Sequence, residues 1–336
     1  MRAARLHGLQ DIRVETEHDP VPAAGESLVR VTAVGLCGSD LHWFGRGSIG
    51  DAVLTDPLVL GHEIAGIAEG GPLDGRRVAV DPSIACGACP QCWEGDRNLC
   101  QRVRFAGHGR NDGGLRELMT WPTALLHPVP DAVSDADAAM LEPLGVALHA
   151  IDLSHVSIGD TAVVVGCGPI GLCMIQLARI AGAGKVIAVE LLAHRREAAS
   201  RLGADVVLDP EEAGYAEALE AAAPLGADVV LEVAGTDRAV DLAIAAARPG
   251  VRVVMAGIPD EDSTTFTASS ARRRGVSLIL CRRMKEMYHR TTPLVADGLV
   301  DVRSIVTDTF GLDRVADAFR TASRRGGGKV IVDPRR

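Results

Sequence analysis

The stretch TAVVVGCGPIGLCMIQLARIAG, residues 161–182, joins a run of apolar, mostly β-branched residues to a glycine-rich turn and a segment rich in helix-forming residues. The turn reads G-x-G-x-x-G, and the residues expected to contact a cofactor are Gly166, Gly168, Pro169, Ile170 and Gly171. Such glycines let the backbone approach a pyrophosphate, which binds at the N-terminus of the following helix. The stretch therefore predicts the first strand, turn and helix of a dinucleotide-binding domain.

The next apolar run, VIAVE (186–190), ends in Glu190. A carboxylate about 20 residues after the glycines accepts hydrogen bonds from the adenosine ribose diol and repels a 2′-phosphate, so NAD is favoured over NADP. Further apolar runs at 206–209, 229–235 and 251–257 alternate with Ala-, Leu- and Arg-rich segments. This alternation predicts a doubly wound α/β domain with a parallel sheet over residues 146–280.

The flanking regions have a different composition. Residues 1–145 are rich in Gly, Pro, Cys and His and contain short apolar runs such as SLVRVTAVG (27–35), which predicts an irregular β-rich domain. Residues 281–336 contain two helical stretches and the strand-like KVIVD (329–333). We expect this last segment to return to the first domain.

Four cysteines lie close together within residues 81–105, which we call the four-cysteine lobe: Cys86-x2-Cys89-x2-Cys92-x7-Cys100. Four thiolates at this spacing can surround one tetrahedral ion and leave no position open, which is typical of a structural zinc site. An iron–sulfur cluster is the alternative, but the spacing matches the ferredoxin patterns poorly.

A second set of potential ligands precedes this lobe. Cys37 begins CGSDLH (37–42), and His62 and Glu63 follow in GHE (61–63). A thiolate, an imidazole and a carboxylate form a three-ligand set that leaves a zinc position free for substrate or water. Such a zinc acts as a Lewis acid and lowers the pKa of a bound hydroxyl group. The combination predicts a catalytic zinc site.

Composition excludes several classes of function. The 336 residues are 47% hydrophobic and carry a net charge of −9, which indicates a folded protein and argues against binding nucleic acid or an anionic membrane. The N-terminus has no apolar signal segment, and the apolar stretch at 161–178 is broken by glycines and a proline. We therefore expect a cytoplasmic protein whose eight cysteines are reduced.

Over essentially its whole length, the chain resembles the zinc-dependent medium-chain dehydrogenases, and among them most closely the sorbitol (polyol) dehydrogenases. The resemblance is carried by the four-cysteine lobe and by CGSDLHWFGRGSIGD (37–51), PLVLGHEIAG (57–66), LEPLGVALHA (141–150) and VVGCGPIGL (164–172). It implies a GroES-like catalytic domain formed by both chain ends, a Rossmann domain between them, and NAD-dependent oxidation of a secondary alcohol. It also implies one catalytic and one structural zinc per subunit, and a homodimer or homotetramer.

The resemblance further implies roles for individual residues around the catalytic zinc. Cys37, His62 and Glu63 correspond to its ligands, and Glu142 to a glutamate that reaches it directly or through water. Ser39 corresponds to the hydroxyl that takes the alcohol proton, and His42 to the end of the relay to solvent.

Other roles concern the cofactor and the substrate. By the same resemblance, Arg195 corresponds to a contact with the cofactor adenosine, and Arg283 to an arginine near substrate and nicotinamide. Trp43 either forms a wall of the substrate pocket or packs in the core. The segment FAGHGRNDGG (105–114) and Arg282 depart from the family pattern. The side chains of His108, Arg110 and Asp112 either line the pocket or belong to a solvated loop.

The substrate remains open at this point: a polyol, sugar or cyclitol is favoured. Threonine 3-dehydrogenation and butanediol oxidation, which belong to the same superfamily, are the alternatives. A more distant alternative is a protein that binds zinc and NAD without catalysing a reaction.

Overall fold

The computed structural model describes residues 1–336, which form two compact units. One unit contains Met1–Pro143 and Lys285–Arg336, and the other contains Leu144–Met284. The boundaries lie after residues 143 and 284, whereas the sequence analysis places them after 145 and 280. None of the helices combines the length and the apolar character needed to cross a lipid bilayer.

The N-terminal part of the first unit is made mainly of short strands. These are β1 (Arg2–Gly8), β2 (Asp11–Thr16), β3 (Glu26–Gly35), β4 (Ser48–Ile49), β5 (Ala52–Val53), β6 (Leu58–Val59), β7 (Glu63–Glu69), β8 (Arg77–Val80), β9 (Ser83–Ile84), β10 (Arg104–Phe105), β11 (Leu118–Pro122) and β12 (Leu126–Pro128). The helices are α1 (Gly38–Arg46), α2 (Pro90–Trp93), α3 (Asp135–Ala139) and α4 (Leu141–Ser154), which continues into the second unit. Short 3₁₀ turns lie at Gly71–Leu73, Arg97–Leu99 and Thr123–Leu125.

The second unit alternates strands and helices. Its strands are β13 (Thr161–Val165), β14 (Lys185–Val189), β15 (Val206–Leu208), β16 (Ala227–Glu232), β17 (Ala247–Met255) and β18 (Ser277–Leu280). Its helices are α5 (Pro169–Ile180), α6 (Ala193–Arg201), α7 (Tyr215–Ala222), α8 (Asp237–Ala246) and α9 (Ala268–Arg274). The chain then returns to the first unit with α10 (Tyr288–Ala296), β19 (Val306–Gly311), α11 (Val315–Ser323) and β20 (Lys329–Asp333), and with 3₁₀ turns at Arg303–Ile305 and Leu312–Arg314.

A seven-stranded sheet organises the first unit, in the order β12-β8-β7-β3-β20-β19, with β11 also paired to β3. Strand β20 pairs antiparallel with β3, so the C-terminal segment belongs to the sheet that the N-terminal strands begin. A three-stranded sheet, β2-β1-β6, and two small hairpin-like pairs complete the unit. Its core is formed by fully buried side chains such as Leu6, Val29, Leu60, Met119 and Phe319.

The sheet of the second unit is entirely parallel, with the strand order β15-β14-β13-β16-β17-β18. In chain order this is 3-2-1-4-5-6, the arrangement of a doubly wound nucleotide-binding domain. Buried Val163, Ile187, Val230 and Val253 contribute to its core, as expected of a parallel sheet covered on both faces. The predicted fold class, a β-rich catalytic domain with a doubly wound α/β domain, is confirmed.

Candidate metal and cofactor sites

Strand pairing in the first unit brings together the three candidate ligands of a catalytic metal. Strand β3 pairs with β7, and Gly35 lies opposite Glu63. Cys37 follows two residues later as the N-cap of α1. The Cys37 thiol, the His62 imidazole and the Glu63 carboxylate each offer one ligand atom, and these atoms lie within 4.8 Å of one another.

Two of these three side chains are buried, and Cys37 is half-buried. His62 is 7% exposed and Glu63 is fully buried. A Cβ atom at Gly35 would lie 1.9 Å from Oε2 of Glu63, so only glycine leaves room for this carboxylate. A soft thiolate, an imidazole and a carboxylate, with no fourth protein ligand in the group, suit a catalytic zinc with an open position.

Asp40, to which the sequence analysis gave no role, connects the two segments that carry the ligands. Its Oδ2 atom accepts a hydrogen bond from the backbone N–H of Cys37 (2.9 Å), and Oδ1 accepts one from that of Gly61 (3.1 Å). The same Oδ1 lies 3.6 Å from Nδ1 of His62. Burial opposes the charged carboxylate, but the His62 imidazole and the backbone N–H groups of Cys37 and Gly61 together outweigh it and lower the pKa of Asp40. One fully buried carboxylate thus orients both ligand-bearing segments.

Lys329 was also missed by the sequence analysis. It opens β20, and its buried ammonium group donates hydrogen bonds to both Glu63 oxygens, at 2.5 and 2.7 Å, and to the carbonyl of Leu36 at 3.1 Å. Burial alone would lower the pKa of Lys329, but the Glu63 carboxylate raises it. The lysine therefore stays charged and holds the Glu63 carboxylate beside the other two ligand atoms.

Glu142 lies in the first turn of α4 and is 4% exposed. Burial raises the pKa of this carboxyl group to about 7, while the charge of His62 opposes the rise. Its oxygens do not belong to the group of ligand atoms formed by Cys37, His62 and Glu63. Glu142 therefore adds no fourth ligand atom to this group.

Helix α1 carries the residues expected to move the substrate proton. Ser39 and His42 are half-buried on this helix, two and five residues after Cys37. Trp43 is only 1% exposed and belongs to the core of the first unit. Its indole therefore packs in the protein and can offer little surface to a substrate.

The four-cysteine lobe has the geometry of a tetrahedral metal site. The Sγ atom of Cys92 lies 3.4 Å from that of Cys89 and 3.9 Å from that of Cys86. Zn–S bonds of 2.3 Å in a tetrahedron place sulfur atoms about 3.8 Å apart. All four cysteines are free thiols, and their sulfur atoms lie within 4.8 Å of one another. The donor set and spacing therefore fit a structural zinc.

Nearby N–H groups support thiolates in this lobe. The backbone N–H of Cys86 donates to the Cys100 sulfur at 3.4 Å, and the Arg102 guanidinium donates to the Cys86 sulfur at 3.3 Å. The backbone N–H of Ala88 contributes most to lowering the pKa of Cys86. These donors stabilise negative charge on sulfur, the form that binds zinc.

In the second unit, the glycine-rich turn between β13 and α5 has the form of a phosphate cradle. Gly166 has φ +95°, and a Cβ atom at Gly171 would lie 2.0 Å from the Gly166 carbonyl oxygen, so both positions require glycine. Gly168 is the N-cap of α5 without a side-chain cap, followed by Pro169 and Ile170. This leaves the N-terminal amides of the helix for an anion such as a pyrophosphate.

Glu190 follows β14 and is 8% exposed. Its Oε2 accepts a hydrogen bond from the backbone N–H of Cys167 at 2.7 Å, and Oε1 accepts one from that of Leu192 at 2.9 Å. The carboxylate is therefore fixed beside the glycine-rich turn. The Arg195 guanidinium also lies beside this turn, because its Nη1 atom is 3.7 Å from the position that a Cβ atom on Gly168 would take.

Arg283, the predicted substrate residue, lies three positions after the last strand of this unit and has φ +54°. A positive φ is uncommon for a residue with a side chain, so the backbone is locally constrained here. The neighbouring Arg282 is exposed.

The segment at 105–114 is tied to the rest of the first unit by Asp112. Asp112 accepts two hydrogen bonds from Arg5, at 3.0 and 2.8 Å, and one from the backbone N–H of Val59 at 3.1 Å. It is therefore an anchor of the fold. Arg110 is exposed and lies 3.7 Å from Asp56.

Two domain families match this chain. The model of the alcohol dehydrogenase GroES-like domain matches residues 23–131, and that of the zinc-binding dehydrogenase domain matches residues 169–297. Sorbitol dehydrogenase of Bacillus subtilis is 33% identical over 345 residues, covering 100% of this chain and 98% of the relative. A protein described as probable D-xylulose reductase A of Arthroderma otae is 35% identical, covering 97% and 95%.

A solved structure agrees in fold along nearly the whole chain. It is an alcohol dehydrogenase from Escherichia coli CFT073 complexed with NADH, with a TM-score of 0.90 at 27% identity, covering 99% of both chains. Fold and donor sets thus define a zinc-binding, nucleotide-dependent dehydrogenase. The chain belongs to the zinc-dependent medium-chain dehydrogenases and is similar to the sorbitol dehydrogenases among them. The expected family is confirmed.

Proposed function

We propose that this protein oxidises a secondary alcohol group of a polyol, sugar or cyclitol, with NAD as hydride acceptor. The observation that carries the proposal is the group formed by half-buried Cys37 with buried His62 and Glu63, a donor set for a zinc with an open position. Cys37 precedes Ser39 by two residues. The relatives named sorbitol dehydrogenase and D-xylulose reductase support a polyhydroxylated substrate.

In the proposed site, Cys37, His62 and Glu63 hold the catalytic zinc. When bound, zinc supplies Lewis acidity that favours loss of the alcohol proton. Asp40 orients the segments that carry Cys37 and His62, and Lys329 holds the Glu63 carboxylate in place. Ser39 accepts the alcohol proton and His42 passes it to solvent. Glu142 would reach the zinc directly or through water.

The turn at residues 166–171 would bind the NAD pyrophosphate, and Glu190 would accept hydrogen bonds from the adenosine ribose. Two backbone N–H groups fix the Glu190 carboxylate, so it would stay close to the 2′-phosphate of a bound NADP and repel it. We therefore propose a preference for NAD over NADP. Arg195 would contact the adenosine half, and Arg283 the substrate.

The four-cysteine lobe would hold the second, structural zinc. We also propose that the protein is cytoplasmic and forms a homodimer or homotetramer. The eight free cysteines support a reducing compartment, and the family resemblance supports the oligomer.

The proposal is tested by following NAD reduction with the purified protein on sorbitol, xylitol, L-idonate, inositols, amino-cyclitols, L-threonine and butanediol. Strong turnover of one vicinal polyol or cyclitol is expected. Turnover of threonine or butanediol alone would contradict the substrate class. Tight NADH binding without turnover of any alcohol, with both zinc sites filled, would contradict the enzymatic function.

A further inference from the structure

Strands β14 and β15 end side by side in the parallel sheet of the second unit, with Val189 paired to Leu208. A carboxylate follows each strand, Glu190 after β14 and Asp209 after β15. The backbone N–H of Glu190 donates to the carbonyl of Leu208 at 3.0 Å, so the pairing extends to the ends of both strands. Two carboxylates therefore occupy neighbouring positions at the edge where a doubly wound sheet binds its dinucleotide.

The guanidinium of Arg196, on helix α6, is held between these two positions. Its Nη1 atom donates hydrogen bonds to the backbone carbonyls of Glu190 and Leu191, at 3.0 and 2.5 Å, and lies 2.8 Å from Oδ2 of Asp209. The side chains of Arg196 and Asp209 are only 26% and 22% exposed, so solvent screens this ion pair incompletely. All three oxygen partners of this nitrogen belong to the protein.

Asp209 is itself held by the turn that follows β15. Its Oδ1 atom accepts a hydrogen bond from the backbone N–H of Glu211 at 2.9 Å, which leaves Oδ2 for Arg196. Arg238 ties down the same turn, because its guanidinium pairs with Glu211 at 2.7 Å and donates to the carbonyl of Pro210 at 3.2 Å. Asp209 therefore presents a carboxylate oxygen to Arg196 from a fixed backbone.

The position of Arg196 connects this ion pair with the cofactor. In dinucleotide-binding domains, a carboxylate at the ribose favours NAD, whereas a nearby arginine accommodates the 2′-phosphate of NADP. Arg196 contacts the backbone of Glu190, the residue proposed to bind the ribose. This chain therefore carries both kinds of residue close together, and their opposite preferences have to be reconciled.

We propose that Asp209 is a positioning residue that sets cofactor specificity by holding Arg196 away from a 2′-phosphate. This inference rests on the proposed function, in which Glu190 binds the ribose of NAD. With Asp209 in place, the guanidinium is neutralised, and a 2′-phosphate meets the charge of Glu190 unopposed. Without Asp209, the guanidinium keeps an unpaired charge near the ribose site, where a phosphate is a strong partner for it. The preference for NAD then depends on two carboxylates rather than one.

The test compares the Kd values of NADH and NADPH, measured by fluorescence titration of the purified protein without substrate. Asp209→Asn is the informative change, because the amide oxygen can still accept the hydrogen bond from Glu211 while an NH₂ group faces Arg196. We expect this variant to bind NADPH about 10-fold more tightly than the wild type, with the Kd of NADH changed less than about 3-fold. Asp209→Ser, whose hydroxyl can also accept from Glu211, should shift the ratio of the two Kd values in the same direction.

Arg196→Gln identifies the group that causes the gain. In the wild-type background this change should not tighten NADPH binding, because the arginine does not meet the phosphate there. In the Asp209→Asn background it should remove the gain for NADPH. Glu211→Gln is the matched control: it removes a carboxylate from the same turn, but this carboxylate pairs with Arg238, so the ratio of the two Kd values should stay at the wild-type value.

An unchanged ratio in both Asp209 variants, a gain that survives Arg196→Gln, or an equal gain in Glu211→Gln would overturn the role of Asp209. Failure of the proposed function looks different, because the wild-type protein would then bind neither cofactor or would bind NADPH more tightly than NADH. A wild-type preference for NADH combined with any of the first three results would refute only the present inference.

Discussion

Replacing Asp40 by asparagine tests how the catalytic metal site is assembled. Asp40 accepts hydrogen bonds from the backbone N–H groups of Cys37 and Gly61 and lies 3.6 Å from Nδ1 of His62. Asparagine has the same shape, but only one of its two terminal groups is an acceptor. One backbone N–H must therefore face an NH₂ group, and the opposing charge beside His62 is lost.

The size of the effect follows from these contacts. Loss of a group that orients a ligand typically weakens metal binding about 10- to 100-fold, or about 1.4–2.7 kcal/mol. One buried N–H without an acceptor lowers the free energy of unfolding by a further ~1–3 kcal/mol. We therefore expect Asp40→Asn to fold, to keep the zinc of the four-cysteine lobe, and to lose the zinc of the Cys37 site to a chelator that leaves the wild type loaded.

The assay titrates each variant with a chromogenic chelator and then measures the zinc bound per subunit by mass spectrometry. The control is Asp74→Asn, because Asp74 also accepts a backbone hydrogen bond, from Gly70, but on the exposed surface. If Asp40→Asn holds the zinc of the Cys37 site as tightly as the wild type and the control do, then Asp40 does not orient the ligands.

Three further changes have distinct expected outcomes. Cys100→Ser removes a buried thiolate ligand, so it should lower the melting temperature by several degrees and release the structural zinc; unchanged stability and zinc content would argue against that site. Glu190→Ala should reduce the ratio of kcat/KM for NAD to that for NADP at least about 10-fold; an unchanged ratio would mean that Glu190 does not contact the ribose. Burial raises the pKa of Asp81 from 3.8 to about 6. Between these pH values the carboxyl group is protonated in the folded state but ionised in the unfolded state. Above about pH 6 it is ionised in both states, and its burial then lowers the free energy of unfolding. Asp81→Asn should therefore be more stable than the wild type at about pH 8, by up to about 3 kcal/mol, and this advantage should shrink towards about pH 4. Urea unfolding at both pH values measures it, and a pH-independent difference would contradict the burial argument.

Much of the fold could be predicted because its signals are local. The glycines at 166–171 follow a β-branched run and precede a helical segment, so strand, turn and helix are encoded within about 20 residues. The four-cysteine lobe is equally local, since all its ligands lie between Cys86 and Cys100.

The edge strand β18 was not among the predicted apolar runs. Ser277 and Leu280, at its two ends, are exposed. Only its pairing with β17 identifies the segment as part of the sheet. An edge strand has a partner on one side only, so the continuous apolar pattern of a central parallel strand is weaker there.

The missed site residues depend on contacts distant in sequence. Asp40 lies within the quoted CGSDLH motif, but its role appears only when Gly61, 21 residues away, donates to it. Lys329 meets Glu63 across 266 residues through the pairing of β20 with β3. A lysine opening a terminal strand gives no local sign of this ion pair. For His108, the sequence left a pocket residue and a solvated loop open, and in the structure its ring contacts the buried Trp43 indole.

The most direct test of the central claim is Cys37→Ser, assayed together for zinc content, NADH binding and polyol oxidation. The account predicts that the variant folds, binds NADH through the second unit, retains one zinc per subunit in the four-cysteine lobe, and has lost turnover. Polyol oxidation at the wild-type rate by this variant would contradict the assignment of Cys37, His62 and Glu63 as the catalytic metal site.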